Sequence, residues 1–243
     1  MMTVCNEKSW TNVTDIGNLR NIQTESLGPR HSPVNHGDCL DMFQNTLADK
    51  NVNFSNGTGL LSQDRLKYVY VCEIKVDVSP DFTFTMGFCN YNNKRKSLTG
   101  LAGEKVFICS NEMYTGQIKE HRRRHTAGIH GEVRGVFENT VEQFNTFVEE
   151  RGTEINFLKE AKFGDKQLGD TVLNLHRNSY LGSANISRIV KEWDHPRHKE
   201  FEERTAWSFQ NAATEVMKGV ANPDSRLLFG YDIHRFINQA VAA

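Results

Sequence analysis

The chain is predicted to be an α+β protein, with an antiparallel β-meander over about residues 66–109 followed by helices packed on one sheet face. Three observations predict it. Residues 66–78 alternate in polarity with a period of two. The early strand-like runs are joined by links too short for parallel crossovers. After residue 132 the apolar residues recur at helical spacing instead. Strands first and helices after is the order of an α+β domain.

The elements follow in chain order. Residues 1–60 are rich in Asn, Thr, Ser and Gly, and predict an irregular N-terminal arm with one short helix near Leu40–Leu47. A single α+β domain is expected over residues 61–243. Asn56-Gly57-Thr58-Gly59 marks the turn into regular structure. Leu66, Tyr68, Tyr70, Cys72, Ile74, Val76 and Val78 then share one strand face. Lys67, Glu73, Lys75 and Asp77 share the other with Val69 and Val71. Ser79-Pro80-Asp81 is a turn, and Phe82, Phe84, Met86 and Phe88 line a second strand. Asn90–Gly103 reads as a long loop or ragged hairpin end, and Lys105–Cys109 as a third strand.

Val133, Val136, Phe137, Thr140, Val141, Phe144, Phe147 and Val148 predict an amphipathic helix that ends near Gly152. Ile186, Ile189, Val190 and Trp193 predict a shorter one, stopped before Pro196. Phe201, Thr205, Phe209, Ala212, Ala213, Val216 and Met217 predict a third, with Gly219 as its C-cap. Asp232 is expected to cap a last helix carrying Ile233, Phe236, Ile237 and Ala240.

Composition bounds the function. The chain has 243 residues, 38% hydrophobic, and 15 of them are Phe, enough for a packed core. Five Cys at wide spacing, with no Cys-x-x-Cys, argue against both a disulfide framework and a cysteine zinc site. Cys72, Cys89 and Cys109 are expected to be buried free thiols. No secretory signal and no membrane-length apolar run is seen, so the host-cell cytoplasm is the expected location and no membrane is expected as a partner.

The net charge is −1, yet residues 91–135 hold nine Lys or Arg against four Asp or Glu, a local charge of +5. Lys94, Arg95 and Lys96 lie in the hairpin region, and Lys119, Arg122, Arg123 and Arg124 follow the third strand. A meander can bring the two clusters together. Such a surface suits phosphate, and Tyr91 and Tyr114 could stack on bases. The plainer alternative is a solvated basic face or a protein contact. His121 and His125 stand four apart and His130 follows, which on a helix would resemble zinc ligation. No Glu follows His121, and three intervening arginines would repel a cation, so no metal is expected. His195-Pro196-Arg197-His198 is a polar link flanked by Trp193 and Trp207, read as core anchors. No nucleotide loop, dinucleotide fingerprint or hydrolase motif is present, and no cofactor is implied.

The middle of the chain resembles a phage and plasmid family, the domain of unknown function nine-three-two. The likeness is carried by Phe88-Cys89-Asn90-Tyr91-Asn92-Asn93, by Glu104–Met113 with Cys109-Ser110-Asn111, and by Arg124-His125-Thr126. It continues in Trp193-Asp194-His195-Pro196 and Trp207–Glu215, covering about residues 65–220. Two features depart from it: the turn lacks the family's His and Asp, and the strand opens Glu104-Lys105 where the family often has Arg. The resemblance implies DNA handling or evasion of host defence. The meander followed by a helix is also weakly similar to Rad52-like annealing proteins. The expected function is therefore DNA binding, sharpest as single-strand binding or annealing, with Asn111 shaping the strand end. An inhibitor that binds a host defence protein is the alternative, and a metal-dependent enzyme using His121, His125 and His130 ranks third. The sequence leaves open whether the chain forms a homo-oligomer.

Overall fold

A computed structural model describes residues 10–55, 57–76, 82–106, 111–113, 117–218 and 223–242. The elements run β1 (Trp10–Asn12), α1 (Ile16–Arg20), α2 (His36–Asp49), β2 (Thr58–Ser62), β3 (Lys67–Ile74), β4 (Phe82–Tyr91) and β5 (Leu98–Val106). Then come β6 (Asn111–Met113), β7 (Gln117–Arg123), α3 (Val133–Glu160), α4 (Asp165–Arg177), α5 (Ser183–Asp194), α6 (Ala206–Met217) and α7 (Pro223–Ala242). The strands form a meander in the order β1-β2-β3-β4-β5-β6, with β7 also pairing β5. The fold is α+β, as the switch in periodicity predicts.

The chain divides into two compact units. The first comprises Met1–Asp77, Thr83–Gly103 and Gly116–Phe147. Its core is aromatic. Phe43 of α2 meets Phe137 of α3 at 5.3 Å, Phe88 of β4 at 5.4 Å and Tyr70 of β3 at 6.0 Å. Phe84 meets Phe144 and Phe147 of α3 at 6.2 and 5.8 Å. These rings cover the face of β3 that carries Tyr68, Tyr70, Cys72 and Ile74. Val69 and Val71 on the opposite face are buried too. The second unit comprises Val78–Phe82, Glu104–Thr115 and Val148–Ala243. Phe209 of α6 stacks on Phe163 at 4.7 Å and meets Trp193 of α5 at 6.0 Å. Residues 206–214 of α6 are all buried.

Several expectations are corrected. Residues 10–60 are not an irregular arm. They carry β1, α1, part of β2 and the 14-residue α2, whose Leu40, Phe43 and Leu47 are in the core. Asn35 caps α2 by accepting hydrogen bonds from the Gly37 and Asp38 amides. The expected loop over Asn90–Gly103 is strand from Leu98 onward, because Leu98, Leu101 and Ala102 are buried and pair in the sheet. Gly100 imitates loop composition, but a Cβ there would collide with the Thr140 side chain; it lets α3 lie close over β5. Helix α3 passes through Gly152, since Ile155 and Leu158 continue its buried stripe and outweigh a glycine cost of about 1 kcal/mol. Asp232 lies inside α7, which starts at Pro223, a residue favoured at a first helical position.

Cys39, Cys72 and Cys89 are buried free thiols, and burial pushes Cys72 up to about 12. Cys5, Cys109 and Gly219 lie outside the described residues. Among those described, no helix is long and apolar enough to cross a membrane.

Candidate functional site

The site grows from the turn after β4. Asn90 and Asn92 are both 0% exposed. The Asn90 amide donates to the Val34 carbonyl and to His36 Nδ1, each at 2.9 Å. Asn92 donates to the same carbonyl at 2.8 Å and accepts from the Val34 amide at 3.0 Å. The two asparagines therefore clamp the segment that leads into α2. Beyond them the chain turns through Lys94, whose φ of 64° is the left-handed conformation. The Lys94 ammonium donates to the Leu27 carbonyl. Arg95 is exposed, with its amide held by Asn93 Oδ1 at 3.1 Å.

The register of β5 with β7 brings the second cluster alongside. Leu98 pairs with Arg123 and Thr99 with Arg122, before an irregularity that leads to Leu101 and Gln117. The basic run is thus a strand followed by a bend, not a helix. Arg122, Arg123 and Arg124 are exposed, two to four positions across the ladder from the Lys94-Arg95-Lys96 turn. Arg123 is held by both Glu132 oxygens at 2.5 Å. Lys119 belongs to β7 and Asn111 opens β6 opposite Val106; their side chains lie outside the described part, as does that of His121. Tyr114, Cys109 and Ser110 also lie outside the described residues. Tyr91 corrects an expectation. It is 1% exposed, with the Lys96 ammonium 5.2 Å from its ring centre, so a base cannot stack on it.

Arg124-His125-Thr126 makes the bend after β7. Thr126 is exposed, and its carbonyl accepts from the Ile129 amide to start a 3-10 turn. His125 is buried; its carbonyl accepts from the Ser32 amide at 3.1 Å, and its ring centre lies 6.1 Å from that of His31. Burial and then the neighbouring His31 lower its pKa to about 4, against an opposing pull from the Ser32 backbone that exceeds the smaller lowering by His36 and His130. His36 is lowered to about 4 by burial. Its Nε2–H donates to the Arg65 carbonyl at 3.0 Å while Nδ1 accepts from Asn90. His130 and Ser32 share a hydrogen bond at 3.0 Å. His121 and His125 thus do not share a helical face. Among the described residues, no three His, Cys, Asp or Glu are grouped to hold a metal.

Asn90 and His125 are therefore linked through residues 31–36, a segment that sequence reasoning missed. Its signal was His31-Ser32-Pro33-Val34-Asn35-His36, a helix-capping Asn with two histidines inside a polar stretch.

A separate buried cluster sits within the second unit. Arg151 Nη2 donates to Glu104 Oε1 at 2.8 Å, Gln210 Oε1 at 3.3 Å and His234 Nε2 at 3.0 Å. Its Nη1 donates to Glu154 at 2.5 Å, and Asn238 donates to Glu154 at 2.8 Å. Gln210 also donates to Glu104 at 3.4 Å. In the polar link after α5, Arg197 joins Glu192 and Glu215 at 3.1 and 2.9 Å, beside buried Trp193. No family model, curated protein or solved structure matches the chain.

Proposed function

We propose that the first unit binds nucleic acid, single-stranded DNA above all, through Lys94, Arg95, Lys96, Arg122, Arg123 and Arg124, with Lys119 on the same strand. The observation that carries this is the pairing of Leu98 with Arg123 and Thr99 with Arg122, which sets the arginine run beside the lysine-rich turn. Phosphates that meet such a strip release condensed counterions. A single strand suits it better than a duplex. The cations lie on a turn and a strand, whereas Arg134 on α3 is tied to Asp49 and Glu138, and α2 presents Asp38, Asp41 and Asp49. Arg20 of α1 is likewise tied to Asp38 and Asp41, so none of the helical stretches of the first unit offers a basic face to a major groove. The likeness to the phage and plasmid family favours the same reading, with strand annealing as its sharper form.

A binding series with single- and double-stranded DNA and RNA from low to high salt tests it. Affinity for the single strand should be highest and fall steeply with salt. No salt-dependent binding to any of them would sink it, and a stoichiometric complex with an acidic host protein would then reassign the strip.

A further inference from the structure

On the nucleic-acid reading above, we propose that His31 and His125 form a recognition site for a phosphomonoester, the terminal phosphate of a nucleic-acid strand. The two rings approach to 6.1 Å between centres and are inclined by 42°. Both residues are more than nine-tenths buried, at 7% and 6% exposure. His31 Nδ1 accepts from the Leu27 amide at 3.0 Å. That places the proton on Nε2, which has no hydrogen-bond partner among the described residues. Neither His125 ring nitrogen has a hydrogen-bond partner either. Buried donors of this kind are costly unless a ligand or water completes them.

The surroundings select the ligand. Arg30 precedes His31 and Arg124 precedes His125, and both are exposed. The Lys94 ammonium is anchored at the Leu27 carbonyl, on the residue whose amide orients His31. The Lys94 charge, close enough to act on His31, and the imidazole N–H groups suit an anion with several oxygens. A metal suits His31 poorly, because its Nε2 carries the proton and its lone pair on Nδ1 is already engaged. A phosphodiester within a strand has sugars on both sides and cannot sink to nearly buried rings. A terminal phosphate protrudes, carries up to two charges and has three free oxygens.

The test uses one single-stranded sequence with a 5′-phosphate, a 3′-phosphate or hydroxyls at both ends, bound to wild type, His31→Gln and His125→Gln at fixed salt. One phosphorylated strand should bind about tenfold tighter than the hydroxyl strand, or more. Both substitutions should abolish that preference while the hydroxyl strand binds as before. Equal binding of all three strands by wild type, or a preference that survives both substitutions, overturns the site while leaving nucleic-acid binding intact. Inorganic phosphate that competes as well as the phosphorylated strand overturns the strand-end assignment. If no strand binds, the parent reading fails. Phosphate titration of the wild type, followed by the histidine ring signals in NMR, then decides the site alone: shifts at His31 and His125 support it and their absence refutes it. The same titration replaces either variant that does not fold.

Discussion

Arg151 and Glu104 form an ion pair sealed from water, with Nη2 2.8 Å from Oε1 and the two side chains 3% and 0% exposed. Two opposite charges can be buried together only if their remaining hydrogen-bond capacity is met. Gln210 and Glu154 meet it here, along with His234 in its neutral form, whose pKa burial and Arg151 hold well below the ordinary value.

Removing one partner should therefore be severe. Arg151→Met leaves Glu104 uncompensated and is expected to cost about 3–5 kcal/mol in urea denaturation. Replacing Arg151 and Glu104 together by Met should cost less than the two single changes summed. A loss below about 1 kcal/mol for Arg151→Met would contradict the pair's role.

Acid should weaken the fold through its histidines. His36 and His125 are lowered from 6.5 to about 4 in the folded chain, so the unfolded chain takes up protons first. Their contribution is full above about pH 6.5 and is lost as pH falls toward about 4, at roughly 3 kcal/mol for each. His234 acts in the same direction. Denaturant midpoints measured from pH 7 to 4 should fall, and His125→Phe should flatten the decline. A level profile would exclude the effect.

Gly100→Ala should destabilise the first unit, because the added methyl meets the Thr140 side chain on α3. Overpacking of this kind costs about 1–3 kcal/mol. Thr140→Ala in the same chain should recover part of the loss in thermal melts. An unchanged melting temperature for Gly100→Ala alone would mean that α3 does not press on β5.

Replacing Arg122, Arg123 and Arg124 by Ala should weaken single-strand binding and flatten its salt slope. Up to three phosphate contacts are lost, at about 0.7 each on a single strand. Tyr91→Leu, which removes the ring, should leave the affinity and slope of the folded protein unchanged, because the ring is buried. A loss of affinity on Tyr91→Leu without loss of stability would reopen the stacking role.

Much of this was legible in the residue order. The period-two run over 66–78 and the helical stripe from Val133 are local patterns, and local patterns specify elements. Leu168, Val172 and Leu175 form an equally plain stripe for α4. Tertiary structure decided the rest. Leu98 to Gly103 has loop-like composition and becomes strand because neighbours on either side complete its hydrogen bonds. Tyr91 looks available for stacking beside three cations, and only packing puts it inside. The turn at 94–96 and the arginines at 122–124 are separated by more than twenty residues, and a ladder register unites them. His31 and His125 lie farther apart still, and residues 31–36 are carried to His125 by the Asn90 and Asn92 clamp on Val34. Side-chain periodicity is a property of neighbours in sequence and so can be read from it. Burial and the meeting of distant side chains depend on which surfaces pack, and that is settled only when the whole chain closes.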